Sequence, residues 1–250
     1  MATYLSDGLT LHYEVIGSGE PMLCVHGATG AGMHEWRKLA SGLSDSFQFV
    51  VPDLRSHRMS EHRPGAVGIE YVIGDLLALV NELDLGRPHV MGFSFGAEVA
   101  LDLELTDPGI CRSLVLLSPG LGDPKSSVPT RERLVATWPD SLRRLHADQH
   151  GEDHWLEVML ELCQRAALRP KADLAHIAAI RCPVLLVVGS EDDPRRIRQA
   201  QVMAEHHERS QLVVVDGAAH AVHKSRPEEV ARLIRRFLGQ RSGGAPSGAR

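Results

Sequence analysis

Short apolar runs alternate with helix-patterned stretches along most of this chain, and that rhythm limits it to few folds. The runs are ATYLS, LTLHYEV, MLCVH over 22–26, FQFVVPD, HVMGF over 89–93, SLVLLS over 113–118, PVLLVVG and QLVVVDG. Apolar residues recur at helical spacing over 34–44, 70–84, 95–105, 196–208 and 227–238. Such alternation builds a mainly parallel sheet flanked by helices, here an α/β fold with eight strands in one sheet. Asp7-Gly8 separates the first two runs as a hairpin turn, so the sheet should open antiparallel.

The rhythm breaks once. Residues 119–180 hold no strand pattern, while TRERLVATW, SLRRLHAD and DHWLEVMLELCQRAAL read as helices. The expected organisation is a core of 1–118 and 181–240, a helical cap over 119–180, and a Gly-, Ser- and Pro-rich disordered tail at 241–250. Leu156, Met159, Leu160 and Cys163 recur at spacings of three and four, giving the cap an apolar face.

With 27 Lys plus Arg against 32 Asp plus Glu, the net charge is −5, which disfavours a nucleic-acid partner. The densest basic groups, Arg195-Arg196 with Arg198 and Arg235-Arg236, read as solvated helix faces. No apolar run is long enough to span a membrane, and MATYLSDGLTLHYEV lacks the pattern of a signal peptide, so a cytoplasmic location without a membrane partner is expected. Cys24, Cys111, Cys163 and Cys182 form no C-x-x-C pair and read as buried free thiols.

The sharpest chemical signal is Gly92-Phe93-Ser94-Phe95-Gly96, between an apolar run and a helix. A serine on a sharp strand-to-helix turn is held above the sheet, beside the backbone N–H groups of a helix N-terminus. A serine hydroxyl needs a base, and the base needs an orienting acid. His220 follows the last strand, and Asp192 or Asp193 follows PVLLVVG. The order serine, acid, histidine, each at a strand's C-terminal end, is that of acyl transfer on this architecture.

From about residue 9 to 238 the chain resembles the α/β-hydrolase family. CVHGATG over 24–30 is similar to that family's His-Gly turn, and the resemblance implies an oxyanion hole from the backbone N–H groups of Ala28 and Phe95. It places the acid three residues beyond Gly189, at Asp192, with Ser94 as nucleophile and His220 as base. Asp53-Leu54-Arg55-Ser56-His57-Arg58-Met59-Ser60 looks like the family's Asp-x-Arg-Gly-His-Gly-x-Ser loop, with Ser56 and Arg58 replacing glycines. These two should reshape the pocket mouth, where Arg58 adds a positive charge. Ala218-Ala219-His220 and the later Pro227 complete the likeness, and His223 reads as a second-layer residue.

His146, His150 and His154 recur every four residues, but no H-E-x-x-H is present and Gly151 interrupts the helix, so they read as a partly exposed polar cap segment and no metal is expected. Trp36, Trp138 and Trp155 read as core or cap packing before pocket lining, and Cys24 and Cys182 have no positioned base. The expectation is a cofactor-free serine hydrolase acting on a small, apolar acyl ester, thioester or lactone. The same family uses its pocket for lyases, cyclases, cofactor-free oxygenases and ligand receptors, which form the alternative reading. Oligomeric state has no signature here.

Overall fold

A computed structural model of the protein describes residues 2–121, 128–137, 140–168 and 173–242. Eight strands form one sheet: β1 (Ala2–Ser6), β2 (Leu9–Ile16), β3 (Glu20–Val25), β4 (Phe47–Pro52), β5 (His89–Phe93), β6 (Ser113–Leu117), β7 (Val184–Gly189) and β8 (Ser210–Val215). Their order is β1-β2-β4-β3-β5-β6-β7-β8. The sheet opens antiparallel through β1, β2 and β4, then runs parallel. Asp7 and Gly8 take φ of 50° and 71°, the left-handed pair a two-residue hairpin needs.

Helices α1 (Gly32–Ser41), α2 (Ile69–Glu82) and α3 (Phe95–Thr106) connect the early strands. Strand residues point alternately to opposite faces. Leu23, Val25, Val90, Leu114 and Leu186 pack with Val72, Leu76 and Leu79 of α2 and Val99 and Leu103 of α3. Their neighbours Met22, Cys24, Met91, Val115 and Leu185 pack on the other face with Trp36 and Leu39 of α1. Both faces are buried, so the central strands read as unbroken apolar runs.

The segment between β6 and β7 contains α4 (Arg131–Thr137), α5 (Asp140–His150), α6 (His154–Leu168) and α7 (Leu174–Ala179). Leu134, Trp155, Leu156, Val158, Met159 and Leu162 form a separate apolar cluster with Val67. α7 instead returns to the main core, where Ile177 and Ile180 pack. After β7 come α8 (Pro194–His206), then α9 (Val222–Ser225) and α10 (Pro227–Ser242) beyond β8.

One expectation is met and two need correction. Gly151, at φ 91°, ends α5, so His146 and His150 lie on one helix and His154 on the next. His146 and His154 are buried rather than partly exposed, because both turn inward against the core loops. α10 continues through Ser242, two residues into the stretch expected to be tail; 243–250 and Trp138 lie outside the described residues. Among the described residues no helix is long and apolar enough to cross a membrane. Cys24, Cys111 and Cys182 are buried and Cys163 is half-buried, all of them free.

Candidate active site

Parallel register sets the site. Val25 pairs with Gly92 and Phe93 with Leu117, so the residues that follow β3, β5 and β6 share one sheet edge. Ser94 stands there at φ 51° and ψ −113°, a conformation costing on the order of 1–3 kcal/mol that the surrounding structure must impose. The turn is tight enough that a Cβ on Gly92 would collide with the carbonyl of Gly96, and one on Gly96 with the carbonyls of Val25 and His26. Ser94 N–H donates to Leu117 O at 2.9 Å, which ties the turn to β6.

The structure brings Ser94, His220 and Asp192 into one line. Ser94 Oγ lies 3.0 Å from His220 Nε2, and His220 Nδ1 lies 3.0 and 3.1 Å from Asp192 Oδ1 and Oδ2. A carboxylate only accepts, so Nδ1 carries the proton and Nε2 is left to accept from the serine hydroxyl. Burial alone would push the Asp192 carboxyl up. The hydrogen bond and charge of His220, with the N–H of Asp193 and the hydroxyl of Ser118, outweigh it and hold the group below its ordinary value. Asp193 faces away: it caps α8, accepting from Arg195 N–H at 2.9 Å, and its contacts with Arg195 lower its carboxyl to about 2.

Ala28 follows β3, and Phe95 follows the serine at the end of β5. Phe95 opens α3, where a backbone N–H has no intrahelical acceptor. Ala28 sits in the turn closed by Gly30 N–H to Gly27 O, and its own carbonyl lies 2.9 Å from His57 Nε2. Both residues also touch the α6 cluster, so α6 lies over this corner. A small, partly open space is lined by Ala28, Thr29, Ser56, His57, Trp155 and Met159.

Several supporting groups escaped the sequence reading. Ser118, at φ 47° and fully buried, donates from Oγ to His220 O at 2.7 Å and so fixes the segment carrying the histidine. Glu35 of α1 accepts from His223 Nε2 at 2.7 Å and from Lys224 Nζ at 2.8 Å. Burial pushes Glu35 up, but the hydrogen bonds and charges of His223 and Lys224 prevail and bring it to about 2. Phe93 sits between the rings of His220 and His223, at 5.0 and 4.5 Å. His26 donates from Nδ1 to Gly27 O at 2.8 Å and accepts Leu54 N–H on Nε2 at 3.0 Å; burial and the neighbouring His57 bring it down to about 4.

Ser56 and Arg58, which stand where the family pattern has glycines, take left-handed backbones, φ 67° and 45°. Cap histidines brace their loop. His154 Nε2 donates to Ser56 O at 2.8 Å, and Arg58 N–H donates to His146 Nδ1 at 3.1 Å. Among the described residues no group of His, Cys, Asp and Glu could hold a metal ion.

An eight-stranded, mainly parallel sheet with a strained serine at the end of its central strand defines a class, and the sequence agrees with it: residues 22–233 match the alpha/beta hydrolase family, to which this chain belongs. It is 29% identical over 265 residues to a putative carbamate hydrolase, RutD, from Rhizobium rhizogenes, covering 93% of this chain and 99% of that protein. It is 26% identical over 241 residues to an N-formylmaleamate deformylase from Pseudomonas putida, covering 87% and 88%. Among solved structures, a thermophilic esterase from Thermogutta terrifontis superposes with a TM-score of 0.77 at 25% identity, covering 95% of this chain and 96% of that one.

Proposed function

We propose that this protein hydrolyses a small-molecule carboxylic ester, thioester or lactone through a serine acyl-enzyme. The observation that carries the reading is the hydrogen-bonded line from Ser94 through His220 to Asp192, with the serine in a strained turn. His220 takes the Ser94 proton as Oγ attacks the acyl carbon, and Asp192 keeps the imidazole in the required tautomer and stabilises the imidazolium. The N–H groups of Ala28 and Phe95 receive the oxyanion, a contribution of about 3 kcal/mol for each such donor in comparable sites. His220 then protonates the leaving group, and water repeats the sequence to free Ser94. Every group this needs is protein, so neither metal nor organic cofactor enters. The apolar α6 face over Ala28 and Phe95 favours an apolar acyl portion.

The names of the relatives favour a second reading on the same machinery, cleavage of an acyl C–N bond in a carbamate or formamide. A panel of acetyl to octanoyl p-nitrophenyl esters, a lactone, an aryl carbamate and a formamide, with initial rates at pH 7.5, separates the two. The ester reading expects multiple turnovers on an ester or lactone at the highest kcat/KM. Preference for the carbamate or formamide selects the second reading, and stoichiometric trapping of every compound without turnover excludes both.

A further inference from the structure

Ser94 lies at the C-terminal edge of the parallel strands; the opposite edge carries a charge pattern that the sequence conceals. Arg87 lies just before β5, Arg112 just before β6, Arg181 just before β7 and Arg209 just before β8, and these four strands are consecutive in the sheet. In sequence they are far apart. Parallel register lines them up at one edge, where they border a cleft of about 290 Å³ together with Glu20 and His89.

The cleft is strongly cationic. Its lining carries four guanidinium groups against the single carboxylate of Glu20, which pairs with Arg112 at 3.0 Å. Glu20 also accepts from His89 Nε2 at 3.0 Å, and burial keeps that imidazole below its ordinary value and so neutral. Arg87 donates to the carbonyls of Gly109 and Cys111, and Arg209 to the carbonyl of Arg181. Carbonyls aim a guanidinium without cancelling its charge. Glu104 lies behind the wall near Cys182, but its oxygens accept the N–H groups of Gly109 and Cys111. Among the described residues Arg181 has no carboxylate partner.

From this placement we infer that the cleft at the N-terminal ends of β5 to β8 binds a small soluble molecule bearing a multiply charged phosphoryl group. Guanidinium forks match phosphoryl oxygens in pairs, and a ligand that bridges several arginines gains from all of them although each alone is exposed and screened. The cleft is the size of a pyrophosphate or a small phosphate ester and is largely polar. It is separated from Ser94 by the length of β5, roughly 16 Å, so occupancy leaves the acyl site open.

Inorganic pyrophosphate is the probe, titrated into the full chain by calorimetry at constant ionic strength, with sodium chloride as the control and glycerol phosphate as the organic arm. The expected result is saturable one-to-one binding with a raised Tm, weakened about tenfold or more in Arg181→Gln and in Arg112→Gln, since each removes a charge-assisted contact. Both changes sit on exposed side chains, and ester turnover should be unaffected. Inorganic phosphate is titrated alongside: tighter binding of glycerol phosphate than of inorganic phosphate points to an ester, and the reverse to a free anion. Absence of saturable binding to the unmodified protein, an equal response to chloride, or undiminished affinity in the two folded variants would overturn the inference.

Discussion

The acid beside His220 shows how one residue separates two outcomes. Asp192 is buried and meets the imidazole, while Asp193 is half-exposed and caps α8. Asp192→Asn should reduce kcat by about ten-thousandfold with the fold intact, because an amide favours the wrong imidazole tautomer. Asp193→Ala should keep kcat near that of the unmodified enzyme and slightly lower stability through the lost cap. Steady-state kinetics and urea unfolding on the pair would check this; equal losses of kcat would contradict it. Ser94, Asp192 and His220 were legible because each belongs to a short local pattern at a strand end. Ser118 and Glu35 were not, since their partners lie 102 and 188 residues away in sequence, and only the folded chain brings them near His220 and His223.

At the scale of elements, α5 and α6 rest on histidines. His57, His62, His146, His150 and His154 lie ring to ring between α5, α6 and the loop after β4. His146 is brought down to about 3, first by burial and then by His57, and burial lowers His57, His62 and His150 as well. Arg58 adds positive charge at this interface, while Glu157 and Glu161 face His62 and Asp53 faces His57. The unfolded imidazole titrates near 6.5, so between that value and 3 the unfolded state binds more protons. The stabilisation from neutral His146 is therefore complete above about pH 6.5 and lost as pH falls toward 3. Amide-exchange protection of α5 and α6 should drop across that window more steeply than protection of β5 and β6, and His146→Gln should flatten the difference; uniform protection would contradict this.

On the proposed function, the same helices bear on substrate choice. Met159→Ala should lower kcat/KM for octanoyl esters more than for acetyl esters, since trimming the roof removes contacts only a long chain makes. Proportional loss on both would make α6 core alone. The strand-helix rhythm made the sheet legible, because both-face burial leaves an unbroken apolar signature. The inward turn of His146 and His154 was illegible: a polar residue every four positions looks the same whether it faces water or a neighbouring loop.

Across the whole molecule, the loop after β4 is held by a buried brace. Arg55 donates from Nε and Nη2 to Asp75 Oδ2 and Oδ1, each at 2.6 Å, and from Nη1 to Ala66 O at 2.9 Å, joining the loop after β4 to α2. Asp75→Ala leaves that buried cation only the half-exposed Asp7 carboxylate at 3.7 Å and should lower stability by about 3–5 kcal/mol in urea unfolding. A loss below about 1 kcal/mol would show that solvent reaches the pair. Such long-range placements converge on one hydroxyl, and intact-protein mass spectrometry after treatment with a serine-directed fluorophosphonate tests that hydroxyl most directly. A single adduct is expected on the unmodified protein, carried by the peptide containing Ser94, with none on Ser94→Ala of unchanged thermal stability. Equal labelling of the two proteins would contradict it.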